Sequence, residues 1–164
     1  MTLQQWLDQW RYKSRDVQDR VQIALEFMQK HYGATSANTI LSQMQCIDFS
    51  RSVQLPRIPV NTRLVGFKDP RVPPDRSAYF TKSGYPVYRL GTSPNGAVDE
   101  DPEVLPKTLY RYVVLVAIPV GEVLQSTCAP AADERSIKGR KIQAAGGGLQ
   151  YLIPNMKRYL KHLP

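Results

Sequence analysis

Apolar residues in the first third of the chain recur at helical spacing. Leu3, Leu7, Trp10, Val17, Val21, Ala24 and Met28 follow one another at intervals of three, four or seven, and Gly33 offers a stop. The stripe predicts a helix packed on a core. A second, shorter helix is predicted over 36–47, with Ile40, Leu41, Met44 and Ile47 turned inward. The segment "SVQLPRIPVN" then breaks the pattern with two prolines and marks the change from helix to sheet.

Beyond that point the pattern is that of strands. "TRLVGF" (62–67), "SAYFT" (77–81), "PVYRL" (86–90), "LYRYVVLVAI" (109–118), "GEVLQSTC" (121–128) and "GLQYLI" (148–153) are short and rich in β-branched or aromatic residues. Pro, Gly or Asn bounds them. The stretches between, "KDPRVPPD", "TSPNGAVDEDPEVLP" and "APAADERSIKGRK", read as loops too polar for a core. No internal repeat occurs. The expected fold class is α+β, with N-terminal helices followed by a mostly antiparallel sheet. Residues 1–50 form a helical segment packing on a core made by 51–164, within one compact domain.

The chain has 164 residues, 42% of them hydrophobic, enough for a single core. Its net charge of +8 favours anionic partners: a nucleotide, nucleic acid, an acidic protein or a membrane surface. The charge is unevenly placed. Residues 135–164 hold seven basic side chains (Arg135, Lys138, Arg140, Lys141, Lys157, Arg158, Lys161) and no acid. Asp99, Glu100, Asp101 and Glu103 cluster in a predicted loop. Such a split suits a positive groove facing a substrate. Cys46 and Cys128 give neither a disulfide framework nor a metal spacing; buried free thiols are the default reading, and a single disulfide between them stays open. With His31, placed after the helical stripe, and His162 as the only histidines, neither a His-based zinc site nor a Ser-His-Asp triad is expected. No metal is expected. No apolar run reaches membrane-spanning length, and no basic-then-apolar signal pattern opens the chain.

The stretch "AAGGGLQY" (144–151) raises the sharpest question: a permissive backbone against Gln150, an amide inside a strand pattern. The glycines lack the strand–loop–helix context and the Lys-Ser/Thr of a P-loop, and there is no GxGxxG. Two readings stay open: a bulge or tight bend at a strand start, or close approach of a ligand where a β-carbon would collide. Arg63 also has two readings. On the solvent face it is ordinary; in a cleft its planar fork could hold a diphosphate. "TLYRYVVL" places Tyr110 and Tyr112 on one face and Arg111 on the other.

The order of these pieces is informative: an arginine on the first strand, an aromatic–hydroxyl strand, a tyrosine-rich strand, then Gly-Gly-Gly-x-Gln-Tyr. With "IPVGEVLQSTCAP…AAGGGLQY" it resembles the tuberculosis necrotizing toxin family of NAD glycohydrolases, over about residues 55–153. The resemblance implies an ADP-ribosyltransferase-like split sheet, with the N-terminal helices outside it. It implies cleavage of the nicotinamide–ribose bond of NAD+ or NADP+, the dinucleotide being substrate and no cofactor being needed. Gln150 takes the place of the family's catalytic glutamine, and Arg63 that of its nucleotide-gripping arginine. The implied catalytic set is Gln150, Tyr110 and Arg63, and the implied dinucleotide-binding set is Arg63, Phe67, Tyr79, Thr81, Gly147 and Gly148. Two departures stand out. The family's active-site histidine falls on Tyr110, which will not titrate near neutrality, and a longer basic insertion follows Ala131.

Glycosidic cleavage of this kind needs no metal: nicotinamide leaves as a neutral ring, and the protein must position the ribose and stabilise its developing charge. A mono-ADP-ribosyltransferase is the nearest rival, but no glutamate follows Glu134 to activate an acceptor. A basic ribonuclease or RNA-binding module explains the charge and not the glycine–glutamine motif. Nucleic acid is therefore the weaker partner. The resemblance further implies a secreted bacterial effector acting in the target-cell cytoplasm, with a cognate immunity protein.

Overall fold

The computed structural model describes residues 1–68, 73–76, 78–82, 108–133, 142–144 and 146–164. The predicted first helix is two helices, α1 (Leu3–Asp8) and α2 (Arg15–Tyr32). Thr2 and Gln5 form a reciprocal capping box at the start of α1. Between the helices the chain turns, and the Gln18 amide takes up two carbonyls of the link, Arg11 O at 3.0 Å and Lys13 O at 2.8 Å. Trp10 therefore packs from a turn, its ring 5.4 Å from Trp6 and 5.3 Å from Phe49 between centroids. His31 lies in the last turn of α2, not beyond it. The next helix, α3 (Ala37–Gln45), begins at Ser36, whose hydroxyl accepts from Thr39 N.

The strands are β1 (Arg63–Lys68), β2 (Tyr79–Phe80), β3 (Thr108–Val114), β4 (Leu124–Thr127), β5 (Ala131–Asp133), β6 (Ile142–Ala144), β7 (Leu149–Leu152) and β8 (Leu160–Leu163). Two three-stranded antiparallel sheets result, ordered β1-β3-β8 and β2-β7-β4, with β5 and β6 paired separately. The expected α+β class with antiparallel sheets is the observed one. The loop predicted over 129–141 contributes β5, and β8 was not predicted. The predicted strand over 86–90 and the acidic cluster at 99–103 lie outside the described residues, as do Arg135, Lys138, Arg140 and Lys141.

One reciprocal bridge joins the two sheets. Val65 N reaches Thr81 O at 2.7 Å and Thr81 N reaches Val65 O at 2.8 Å. The sheets meet at this seam and part on either side, in the order β8-β3-β1-β2-β7-β4. Because side chains alternate along a strand and agree across a pair, each face has a distinct use. One face buries Leu64, Phe80, Tyr112, Val114, Tyr151 and Leu160 in one core cluster. On the other face, Leu124 and Leu152 pack with Ile40, Leu41 and Met44 of α3 and with α2. The helices thus cover β2–β7–β4 on that second face. At least eight buried aliphatic and aromatic side chains meet there, and full burial of each contributes about 1.5–3 kcal/mol before conformational entropy is set against it.

Candidate functional site

The register sorts the residues expected to form a site. Leu64 pairs with Tyr112 and Gly66 with Tyr110, while Arg63 pairs with Val113 and Val65 with Arg111. Tyr110 therefore lies on the face opposite Arg63, and the two do not converge on one ligand. Tyr110 instead packs edge-on against His162 of β8, with ring centroids 5.3 Å apart. The sequence reading set that histidine aside. It supplies an imidazole beside the tyrosine that the resemblance placed at the family's histidine position.

Arg63, Phe67, Thr81, Tyr79 and Gln150 do share a face, the one that α3 partly covers. Arg63 lies two residues along β1 from the Val65–Thr81 bridge. Phe67, half-buried, sits towards the opposite end of β1, roughly 13 Å along the strand.

Beneath α3 the polar groups are already engaged. Gln150 is 6% exposed; its Nε2 donates to Cys46 O at 3.1 Å and Ser126 Oγ at 3.0 Å, and its Oε1 accepts from the Cys128 thiol at 3.0 Å. With these bonds the amide ties the end of α3 to β4 and β7. A buried amide left unsatisfied would cost about 1–3 kcal/mol, which explains the full set of partners. Tyr79 donates its hydroxyl to Gln43 of α3, and burial holds its pKa well above the usual tyrosine value. Thr81 is buried and donates to Leu149 O. Burial, reinforced by Cys46, pushes the Cys128 thiol up to about 12. Both cysteines are free, and Cys46 is exposed where burial was expected.

The glycine question has a geometric answer. Gly146 (φ 68°) and Gly147 (φ 86°) are left-handed. A β-carbon on Gly146 would stand 2.6 Å from the carbonyl carbon of Ala129 and 2.7 Å from Cys128 O. What comes close is the chain's own backbone, so the tight-bend reading holds at Gly146. Gly147 N donates to Cys128 O at 2.8 Å and Cys128 N to Gly148 O at 2.9 Å, locking the turn to the end of β4. Gly147 is exposed and Gly148 buried.

Two further cations were missed. Lys161 pairs with Val113 from the side opposite Arg63, and Arg111 lies two residues along β3 on the same face. Arg63, Arg111 and Lys161 are all exposed. Strand alternation had put Arg111 away from the tyrosines, but only the register unites it with Arg63, and Lys161 needed the unpredicted β8.

The family model of bacterial toxin 46 (Ntox46) matches residues 12–159. The chain belongs to this family of bacterial toxins. The match takes in α2 and α3, so the helices are part of the toxin domain. Among solved structures, a chain in "Structure of Tse6 in complex with Tsi6" superposes with a TM-score of 0.67 at 22% identity, covering 92% of this chain and 98% of that one. That likeness shows a shared fold. A chain in "Rhs1-CT in complex with cognate immunity protein RhsI1" has a TM-score of 0.40 and 13% identity, covering 70% of this chain and 79% of that one. No curated protein matches in sequence.

Proposed function

We propose that this toxin is an NAD(P)+ glycohydrolase. The observation that carries the reading is the row of Arg63, Arg111 and Lys161 on the open sheet face, beside the Val65–Thr81 seam. Three cations at strand spacing suit a diphosphate, the arginines contributing forked, charge-assisted hydrogen bonds. The resemblance to NAD glycohydrolases supplies the reaction. The C1′–N bond of the nicotinamide riboside breaks and its electron pair leaves with the neutral ring. Water adds at C1′ and gives up a proton, yielding ADP-ribose. In this reading Arg63 binds substrate, with Arg111 and Lys161 beside it. Gln150 and Thr81 have a structural role, holding β7 from beneath, and Gly147 and Gly148 form the wall of the site. Tyr110 lies on the other face and binds no diphosphate.

Incubation with NAD+ and chromatography of the products tests this. Free nicotinamide and free ADP-ribose are expected, with and without a chelator. Label transferred to a protein or RNA would favour the transferase, and RNA degradation without NAD+ would favour the nuclease. We further infer delivery into the cytoplasm of a target cell and a cognate immunity protein. The immunity partner is supported by the toxin family and by the Tse6 structure, which is a complex with Tsi6.

A further inference from the structure

We propose that an apolar knuckle made by Val60, Leu115, Val116 and Val120 is the docking surface for an acidic protein, the immunity partner inferred above, on which this proposal rests. Among the described residues seven large hydrophobic side chains are exposed, and these four gather in one place, at 48%, 55%, 54% and 63% exposure. The reciprocal Ile58–Ile118 bridge ties their two segments side by side. Leu115 N and Val116 N are both held by Tyr159 O, at 2.8 and 3.4 Å, so the knuckle is fixed by backbone hydrogen bonds. Exposed apolar groups clustered on a fixed β arch mark an interaction surface.

Charge selects the occupant. Exposed Lys30, Arg57, Arg63 and Arg158 lie on the segments that build the knuckle or contact them, and supply its basic rim: Lys30 reaches Gly121 O at 3.2 Å, Arg57 precedes Ile58, Arg63 follows Val60 by three residues, and Arg158 precedes Tyr159. Of the described acids nearby, Glu122 is half-buried and takes the Asn155 amide at 3.2 Å, and Asp75 is neutralised by Lys157 at 3.3 Å. An apolar centre within a basic rim, on a chain of net charge +8, matches a partner whose face is apolar and acidic. Arg63 belongs both to this rim and to the proposed diphosphate row. A protein seated on the knuckle would therefore reach the substrate face and neutralise the toxin by covering it.

The probe is the gene product whose co-expression restores growth to cells making this toxin. Leu115→Asp/Val116→Asp should raise its dissociation constant at least a hundredfold and abolish growth rescue while leaving the melting temperature unchanged. Tyr12→Asp, at a remote position 93% exposed, should do neither. Binding by the wild type should weaken as salt rises. Hydrogen exchange on the wild-type complex should slow at residues 115–120, a readout that survives any misfolding of the double variant. Affinity within threefold of wild type with unchanged exchange would overturn the proposal, as would equal loss from Tyr12→Asp. A free toxin that dimerises, or binds anionic vesicles, through Leu115 and Val116 without engaging the rescuing protein there would also overturn it. If no gene product rescues growth, the partner reading itself fails, whatever the outcome with NAD+.

Discussion

The two halves of the sheet use the same face in opposite ways. Under α3, on β2–β7–β4, the polar groups of Gln150, Ser126, Thr81 and Tyr79 are buried or half-buried and bonded to the protein itself. On β1–β3–β8 the same face carries Arg63, Arg111 and Lys161, all exposed. The difference follows from where the helical layer ends. A polar side chain beneath a helix must find internal partners, whereas a charge on an open strand keeps its hydration and remains available to an anion. Residues that look equally functional in sequence divide at the seam into those bonded to the protein itself and those left open to solvent.

Truncation in the covered half should produce the largest change. Leu152, 2% exposed between α3 and the sheet, joins the two layers, and Leu152→Ala should lower stability by about 2–5 kcal/mol in chemical denaturation. An effect below 1 kcal/mol would mean that the helices do not depend on this face. Gln150→Ala comes next, at about 1–3 kcal/mol, because Cys128, Ser126 and the Cys46 carbonyl lose their shared partner. Turnover per folded molecule should persist in this variant. A hundredfold loss of turnover at unchanged melting temperature would return Gln150 to the reacting centre.

Alkali should separate the halves more gently. The thiol of Cys128 titrates at about 12 when folded, against about 8.5 in an unfolded chain. The folded state keeps a proton that the unfolded state releases, so this contribution to stability is present below pH 8.5 and is lost as pH rises towards 12. Stability should fall across that window, and Cys128→Ala should flatten the slope. A slope identical in both proteins would remove Cys128 from the explanation. Lys161→Ala, on the open half, should change stability by less than about 0.5 kcal/mol while weakening NAD+ binding, measured by calorimetry.

The sequence revealed elements wherever a single period dominated. The stripe through Val21, Ala24 and Met28, the alternation through β3 and the Ser36 start of α3 were all legible, as was the α+β class. The α1–α2 break was hidden because Trp10 keeps its place in the stripe while packing from a turn. β8 was missed because Leu160-Lys161-His162-Leu163 does not alternate cleanly. Candidate residues were legible as types but not as partners. Nothing local in "TLYRYVVL" says that Tyr110 turns away from Arg63, since that depends on a register fixed by a strand more than forty residues earlier. Nor does "GGGLQY" disclose that Cys46, on another element, already holds the glutamine's amide. The glycine bend was one of two readings, and only the approach of Ala129 chose between them.

The central claim is that the open half binds the diphosphate of a dinucleotide substrate through Arg63. The most direct measurement is nicotinamide release from NAD+ by the wild type, Arg63→Ala and Arg63→Lys, with thermal unfolding of each. Release by the wild type is expected, with a loss of about thirtyfold or more in kcat/KM for Arg63→Ala, the equivalent of about 2 kcal/mol for a charge-assisted contact. Arg63→Lys should recover little of it, and all three proteins should melt alike. Intact NAD+ at high concentrations of folded wild-type toxin would contradict the glycohydrolase reading, and full activity in Arg63→Ala would contradict the role of the open face.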